Sequence, residues 1–133
     1  MKQYSGFKLL IVDDHERNLF TLRTLVQQHM DVEILEATSG RQALDIALGQ
    51  PDTDLIILDI QMPEMDGFEI TRQIRNPDSQ VRNPNIPIIA LTAKTEDLDM
   101  EACLEAGADD FVIKPVGPKD LKEIIARHLP DPT

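Results

Sequence analysis

Short apolar runs alternate along the chain with longer stretches in which apolar residues recur at helical spacing. The apolar runs predict five strands, at 8–12, 32–37, 55–58, 88–91 and 111–113. Most of these runs lack an inside–outside alternation of apolar and polar residues, as expected for parallel strands that are covered on both faces. Strands that alternate with helices therefore predict an α/β fold built on a parallel sheet.

Five helical patterns lie between and after these strands, and residues with strong end preferences mark several of their boundaries. Gly67 marks the start of the third helix. Thr95 is the predicted cap of the fourth helix and Gly107 its terminator. Pro118 opens the fifth helix, because proline is favoured in the first helical turn.

Length and composition predict a single domain over 1–133. The chain has 133 residues, 41% of them hydrophobic, which suits one domain with a core of its own. The longest apolar runs are far shorter than the roughly 20 residues that cross a membrane, so we expect no membrane segment. The single cysteine, Cys103, excludes an internal disulfide framework and agrees with a reducing compartment. We therefore expect the protein in the cytoplasm.

The net charge of −11 narrows the kinds of partner. Phosphates need a basic surface, so we do not expect this domain to bind nucleic acid directly. The acidity fits a basic protein partner or a bound cation better, and plain solubility explains it equally well.

Polar residues stand at the carboxyl ends of four of the predicted strands. Asp13 and Asp14 follow the first strand, Asp59 the third, Thr92 the fourth and Lys114 the fifth. Right-handed crossovers bring the carboxyl ends of parallel strands to one edge of the sheet, where α/β folds place their sites. The sequence therefore predicts that three carboxylates, a hydroxyl and a lysine meet in one crevice.

This set of side chains indicates a phosphoryl-transfer site. Three neighbouring carboxylates need a cation, and oxygen ligands without a thiolate or a well-placed imidazole favour a hard ion such as Mg²⁺. Lys114 and Thr92 then supply a charge and a hydroxyl for a phosphoryl group. One carboxylate acts as the nucleophile, and Asp59 has the most central position.

Each of these residues also has a structural interpretation. Asp13 and Asp14 could cap the first helix, where carboxylates suit the dipole. Asp59 could begin a turn before Pro63, and Lys114 could be an ordinary surface lysine. Their joint occurrence at four strand ends argues against four independent coincidences.

Four motifs at these strand ends resemble those of a known family. They are "VDD" at 12–14, "LDIQMPEMDG" at 58–67, "ALTA" at 90–93 and "KP" at 114–115. Together, in this order, they resemble the receiver domain of two-component response regulators, over a core of about 8–129. The resemblance implies a doubly wound, flavodoxin-like sheet of five parallel strands in the order 2-1-3-4-5 with five helices.

The resemblance also assigns a role to each site residue. Asp59 would be the phosphoacceptor, in a self-catalysed transfer followed by autodephosphorylation rather than in a classical enzyme reaction. Thr92 and Lys114 would contact the phosphoryl oxygens. The Mg²⁺ ligands that the resemblance implies are Asp14, Asp59 and the backbone carbonyl of Gln61, with Asp13 acting through water.

Further positions match parts of the family's switch and scaffold. Thr92 and Phe111 fall at the switch positions, and Phe111 lacks the hydroxyl that a tyrosine would bring. The bond between Lys114 and Pro115 is similar to one that is cis in receivers. Gly67, after Asp66, ends a turn and starts the third helix.

The resemblance implies a histidine kinase or a histidine phosphotransfer protein as phosphodonor. The output surface would be the fourth helix, fifth strand and fifth helix, with a homodimer through this surface as a further option. A basic partner or a simply solvated face would suit the acidic residues of this surface, which are Glu96, Asp97, Asp99, Glu101, Glu105, Asp109 and Asp110. The output domain or partner itself is not specified by the sequence.

Two other function classes compete with a phosphorylated receiver. One is a receiver-fold interaction module that is not phosphorylated. The other is a Mg²⁺-dependent phosphohydrolase with an aspartate nucleophile, in which Gln61 would stand where a second aspartate is expected. The start at Met1 close to the first strand favours a stand-alone or N-terminal receiver, whereas "ALTA" and the loop at 76–85 resemble receivers of hybrid kinases.

Overall fold

The computed structural model describes residues 6–49, 52–60, 67–76, 85–92, 97–114 and 116–129. Strands and helices alternate along these ranges. The strands are β1 (Lys8–Val12), β2 (Glu33–Ala37), β3 (Leu55–Asp59), β4 (Ile88–Thr92) and β5 (Asp110–Ile113). The helices are α1 (Glu16–His29), α2 (Gly40–Gly49), α3 (Gly67–Arg75), α4 (Asp97–Ala106) and α5 (Pro118–His128).

The five strands form one parallel sheet in the order β2-β1-β3-β4-β5. This confirms the predicted doubly wound α/β fold. The chain leaves β1 toward one edge of the sheet and then crosses to the other side, so the order reverses between β1 and β3. Ligands of open α/β sheets bind at such a reversal, beyond the carboxyl ends of the strands.

The boundaries of four strands differ from the predicted ones by a single residue. β3 and β4 each run one residue further, so that Asp59 and Thr92 are the last residues of their strands. β2 starts at Glu33 rather than Val32, and β5 starts at Asp110 rather than Phe111. Parallel pairing extends β3 and β4, because Asp59 stands opposite Leu91 and Thr92 opposite Ile113.

The core has two layers, one on each face of the sheet. Alternate residues of β1 illustrate the division: Leu9 and Ile11 pack with α1 and α5, whereas Leu10 and Val12 pack with α2 and α3. Both faces of the central strands are therefore apolar, which explains why the sequence shows no alternation there. None of the helices in the described ranges is long and apolar enough to span a bilayer.

The predicted helix boundaries at three residues are confirmed. α3 begins at Gly67 and α5 at Pro118. Gly107 follows α4 with a φ of +113°, a left-handed conformation that favours glycine and ends the helix. The predicted cap of α4, Thr95, lies outside the described residues.

Gly67 has a packing requirement as well as a position. A Cβ built on Gly67 would lie 2.5 Å from the Cα of Ile60, and the backbone N–H of Gly67 donates to the carbonyl of Ile60 over 3.2 Å. The start of α3 therefore approaches the end of β3 more closely than any side chain allows. This contact holds α3 beside the carboxyl edge of the sheet.

Candidate functional site

Two buried carboxylates stand side by side at the reversal point of the sheet. Val12 pairs with Leu58 across β1 and β3, so the next residues, Asp13 and Asp59, leave neighbouring strands at the same level. Both residues are buried. The predicted meeting of these two carboxylates is thus present in the structure.

Lys114 joins these carboxylates from two strands away. Its backbone N–H donates to the carbonyl of Thr92 over 2.7 Å, which fixes the start of its side chain at the end of β4. The Nζ atom lies 3.3 Å from Oδ2 of Asp59 and 3.6 Å from Oδ2 of Asp13. Since β4 lies between β3 and β5, the side chains of Lys114 and Asp59 together bridge two strand spacings, roughly 10 Å in all.

Thr92 is a further predicted residue at this edge of the sheet. It is the last residue of β4 and fully buried, and β4 separates the strand of Asp59 from that of Lys114. The structure therefore places Thr92 at the same edge of the sheet as the lysine and the carboxylates.

One oxygen of Asp13 is left without a hydrogen bond. Oδ1 accepts the backbone N–H of His15 over 2.9 Å. Oδ2 is buried and has no hydrogen-bond partner in the part of the chain that the structure describes, and it faces the Lys114 ammonium at 3.6 Å. Leaving such an oxygen unsatisfied is costly, so a cation that it could contact directly or through water fits this position.

Asp14 and His15 complete an acidic cluster at the rim of the crevice. Asp14 is only partly buried, and its Oδ1 lies 3.0 Å from Nδ1 of His15. Ligand atoms of Asp13, Asp14 and His15 all lie within 4.8 Å of one another. Two carboxylates and an imidazole at this spacing form a donor set that suits a divalent cation.

His15 is the site residue that the sequence analysis missed. We did not count His15 as a well-placed imidazole, because motifs for metal ligands use spacings of several residues and His15 directly follows the acidic pair. In the structure, the hydrogen bond to Asp14 and the charge of that carboxylate raise the pKa of His15 above its ordinary value. A histidine directly beside two adjacent carboxylates was the available signal.

Three other predicted residues lie near or beyond the edge of what the structure describes. Gln61 and Pro115 fall outside the described residues, so their predicted roles stay predictions. Phe111 is partly buried on β5, where it pairs with Ala90 and packs against the core layer beneath α2 and α3. Its predicted role as a switch also stays a prediction.

A cavity of about 370 Å³ opens beside Asp13 and Lys114, against α1. Asp13, Asn18 and Lys114 line its polar end. Leucines of α1, with Leu91 and Val116, line the rest. The crevice therefore has room for water or a ligand beside Asp13 and Lys114.

Comparison with known proteins identifies this arrangement. Residues 9–126 match the family model described as the response regulator receiver domain. The chain belongs to this family. It is a receiver domain, CheY-like in fold.

Similar receivers occur in proteins of several kinds. Hybrid signal transduction histidine kinase L of Dictyostelium discoideum is 40% identical over 123 residues, which are 91% of this chain and 7% of that protein. The receiver domain of sensor histidine kinase PA1611 from Pseudomonas aeruginosa, whose crystal structure holds a magnesium ion in its active site cleft, has a TM-score of 0.81. That comparison has 32% identity and covers 93% of this chain and 98% of the other.

A third similar structure is a complex. It contains the Saccharomyces cerevisiae histidine phosphotransfer protein Ypd1 and the receiver domain of Ssk1, and the matching chain has a TM-score of 0.84 at 28% identity. The match covers 96% of this receiver and 91% of that chain. Curated relatives are longer proteins, of which this receiver spans from 7% to 50%.

Proposed function

We propose that this receiver accepts a phosphoryl group from a phosphohistidine donor onto Asp59. The observation that carries the proposal is the position of Asp59, a buried carboxylate with the Lys114 ammonium 3.3 Å away and Asp13 beside it. A buried carboxylate beside a lysine can attack a phosphorus atom while the lysine stabilises the charge of the transferring group.

In the proposed reaction, a carboxylate oxygen of Asp59 forms a bond to phosphorus and the bond from phosphorus to the donor's imidazole nitrogen breaks. The product is an acyl phosphate on Asp59, and the donor histidine takes up a proton from solvent. Lys114 and the hydroxyl of Thr92 contact the phosphoryl oxygens. In autodephosphorylation, water attacks the same phosphorus, the bond from phosphorus to the Asp59 oxygen breaks, and the carboxylate is restored as inorganic phosphate leaves.

Mg²⁺ is the cofactor that we propose for this site. Asp14, Asp59 and the backbone carbonyl of Gln61 would hold it directly, and Asp13 through water. When bound, the ion offsets the charge of the carboxylates and of the phosphoryl oxygens. The unsatisfied oxygen of Asp13 and the donor set around it support this assignment, as does the magnesium ion in the cleft of the PA1611 receiver.

This proposal makes the chain a phosphoacceptor switch rather than a classical enzyme. Its phosphodonor would be a histidine kinase or a histidine phosphotransfer protein, the class represented by Ypd1 in the Ssk1 complex. An exposed aromatic residue supports a protein donor. Phe20 on α1, six residues after Asp14, has 61% of its surface exposed, and the guanidinium of Arg23 lies 5.7 Å from its ring centroid.

For output we propose the surface formed by α4, β5 and α5, with Thr92 and Phe111 as the switch residues. Leu104 on α4 is half exposed, and Glu101 and Glu105 are exposed as well. An exposed leucine beside exposed glutamates suits a partner that offers apolar and basic groups. A homodimer through this surface is a further option. Direct nucleic-acid binding does not fit the charge of −11.

Two acidic residues of this surface form ion pairs with arginines of the same chain. Asp109 accepts from Arg75 and Asp110 from Arg127, so neither supplies the surplus charge that the sequence analysis assigned to it. Asp97 and Asp99 lie on α4, but the structure does not describe their side chains, and Glu96 lies outside the described residues.

We also propose that 1–133 forms a single receiver domain and that it works in the cytoplasm. One sheet that contains all five strands supports the first statement. The proposed location in the cytoplasm is supported by the phosphohistidine donors, which act there. It is also supported by the single cysteine and by the finding that no described helix could span a bilayer.

The test is to treat the chain with acetyl phosphate and Mg²⁺ and to measure its intact mass. The proposal expects one added phosphoryl group, absent from Asp59→Asn and retained by Asp45→Asn, an exposed aspartate on α2. No adduct with any donor would favour an interaction module that is not phosphorylated. Sustained turnover of small phosphate esters would favour a phosphohydrolase.

A further inference from the structure

His15 lies between the acidic pair and α1, and its side chain does not cap the helix. It is the N-cap residue of α1, with extended backbone angles and no side-chain hydrogen bond to the helix. Helices favour serine, threonine, aspartate or asparagine there, because those side chains accept a backbone N–H. The imidazole is 68% exposed, so core packing does not account for it either.

The ring points instead at the carboxylates of the site. Nδ1 lies 3.0 Å from Oδ1 of Asp14 and 3.8 Å from Oδ1 of Asp13. In an octahedral complex with bonds of about 2.1 Å, adjacent ligand atoms are roughly 3.0 Å apart and opposite ones roughly 4.2 Å apart. The separation of Asp14 and His15 is that of adjacent ligands. A cation between them would take the place of the hydrogen that joins the two atoms.

A second observation points to a cation at this cluster. Asp13 is fully buried, and its Oδ2 has no hydrogen-bond partner within the described ranges. The cluster thus contains a buried oxygen that accepts no hydrogen bond from the described residues and whose facing charge, the Lys114 ammonium, lies 3.6 Å away. It also contains an imidazole that neither the helix nor the core uses.

We propose that His15 is a nitrogen ligand of the divalent cation at this site, and that it shifts the site's preference from Mg²⁺ toward imidazole-binding ions such as Mn²⁺ and Ni²⁺. Mg²⁺ binds oxygen ligands and gains little from imidazole, whereas Mn²⁺ and, more strongly, Ni²⁺ accept it. The inference rests on the proposed metal site, and it adds the residue that sets its selectivity.

The experiment compares cation affinities in the full chain by calorimetry. Mg²⁺ is titrated into the metal-free chain. Ni²⁺ is titrated in the presence and absence of Mg²⁺, and only the Ni²⁺ that Mg²⁺ displaces is counted, because that Ni²⁺ occupies the same site as Mg²⁺. The variants are His15→Gln, which replaces the nitrogen ligand by an amide with an oxygen, and His128→Gln as the control. His128 lies at the far end of α5 and contacts Asp110.

We expect the ratio of Ni²⁺ to Mg²⁺ affinity to fall about tenfold or more in His15→Gln and to stay unchanged in His128→Gln. Pulsed electron paramagnetic resonance of bound Mn²⁺ should show coupling to an imidazole nitrogen in the wild type and in His128→Gln. That coupling should be lost in His15→Gln.

The inference would be overturned if the ratio of Ni²⁺ to Mg²⁺ affinity in His15→Gln stayed within about twofold of the wild-type value. Nitrogen coupling that persists in His15→Gln would overturn it as well. Both results leave the proposed function standing, provided that Mg²⁺ still binds and Asp59 is still phosphorylated. If no divalent cation binds the wild type, the metal site and this inference fail together.

Discussion

The ammonium of Lys114 lies 3.3 Å from the carboxylate of Asp59, although their strands are separated by β4. The same Nζ atom is 3.6 Å from Asp13, so a single cation serves two buried carboxylates that come from different strands. Lys114 is held at this point by its backbone hydrogen bond to Thr92. The charge balance of the site therefore depends on the pairing of four strands.

Removal of the Lys114 ammonium should destabilise the fold when no metal ion is bound. In Lys114→Ala, Asp13 and Asp59 remain buried without their countercharge, and we expect the free energy of unfolding to fall by about 1–3 kcal/mol. Added Mg²⁺ should recover part of this loss. Urea unfolding with EDTA and with Mg²⁺ measures both effects. Lys122→Ala, at an exposed position on α5, should change neither, and an equal loss in both variants would contradict the role of Lys114.

The same variant should separate phosphorylation from output. Without Lys114, Asp59 should still accept phosphate from acetyl phosphate, because the nucleophile is intact. The phosphorylated form should lack the charged contact that couples the phosphoryl group to the end of β5. Partner binding, or dimer formation measured by sedimentation, should therefore respond weakly to phosphorylation. A normal response would mean that Lys114 does not transmit the signal.

Asp14 should contribute directly to cation binding. We expect Asp14→Ala to lower the Mg²⁺ affinity about tenfold or more, because a hard ion loses an anionic oxygen ligand. Calorimetry measures this change, and Asp45→Ala is the control because it removes the same kind of side chain from an exposed position on α2. An unchanged affinity in Asp14→Ala would remove this residue from the ligands.

Gly67 should tolerate no side chain. In Gly67→Ala the new Cβ would meet the Cα of Ile60, which is backbone and cannot rotate away, so we expect a loss of about 1–3 kcal/mol in unfolding free energy. Gly49→Ala is the matched control, since a Cβ there meets nothing within 4 Å and alanine favours the helix. Chemical denaturation of both variants checks the difference, and equal stabilities would argue against close packing at Gly67.

Asp110 should make the fold sensitive to acid. Partial burial opposes its ionisation, but hydrogen bonds from His128, from the Phe111 N–H and from Arg127 outweigh that effect and hold the pKa of Asp110 below its ordinary value of 3.8. A depressed pKa contributes stability that is present above pH 3.8 and is lost as the pH falls through the lower folded-state value.

Asp110→Asn should therefore lower the stability at neutral pH and flatten its decline below about pH 4. Thermal unfolding between neutral and acidic pH measures the slope. Asp45→Asn, at an exposed position on α2, serves as the control for a general effect of removing an aspartate. If Asp110→Asn and the wild type lose stability in parallel, this carboxylate does not carry the acid sensitivity.

Much of the fold could be predicted because burial leaves a direct trace in the sequence. The central strands are apolar on both faces, so runs such as 88–91 indicate strands without any knowledge of their neighbours. Gly107 and Pro118 mark helix ends through local backbone preferences. The exact ends of β3 and β4 could not be predicted, because pairing with neighbouring strands extends them by one residue each.

The residues that could form the site can be identified from the sequence alone. Asp13, Asp59, Thr92 and Lys114 stand at strand ends, and the handedness of crossovers sends parallel strand ends to one edge whatever the strand order. The chemistry of these side chains therefore predicts that the site binds a cation and a phosphoryl group, without any knowledge of the distances between them.

Which of these groups are in contact follows from the three-dimensional packing of the chain. Lys114 contacts both Asp13 and Asp59, His15 turns its ring to Asp14, and Asp109 pairs with Arg75 of α3. Contacts between side chains depend on strand register and on the direction in which each side chain leaves the backbone. Residues far apart in the chain set both, so neither can be read from a local pattern.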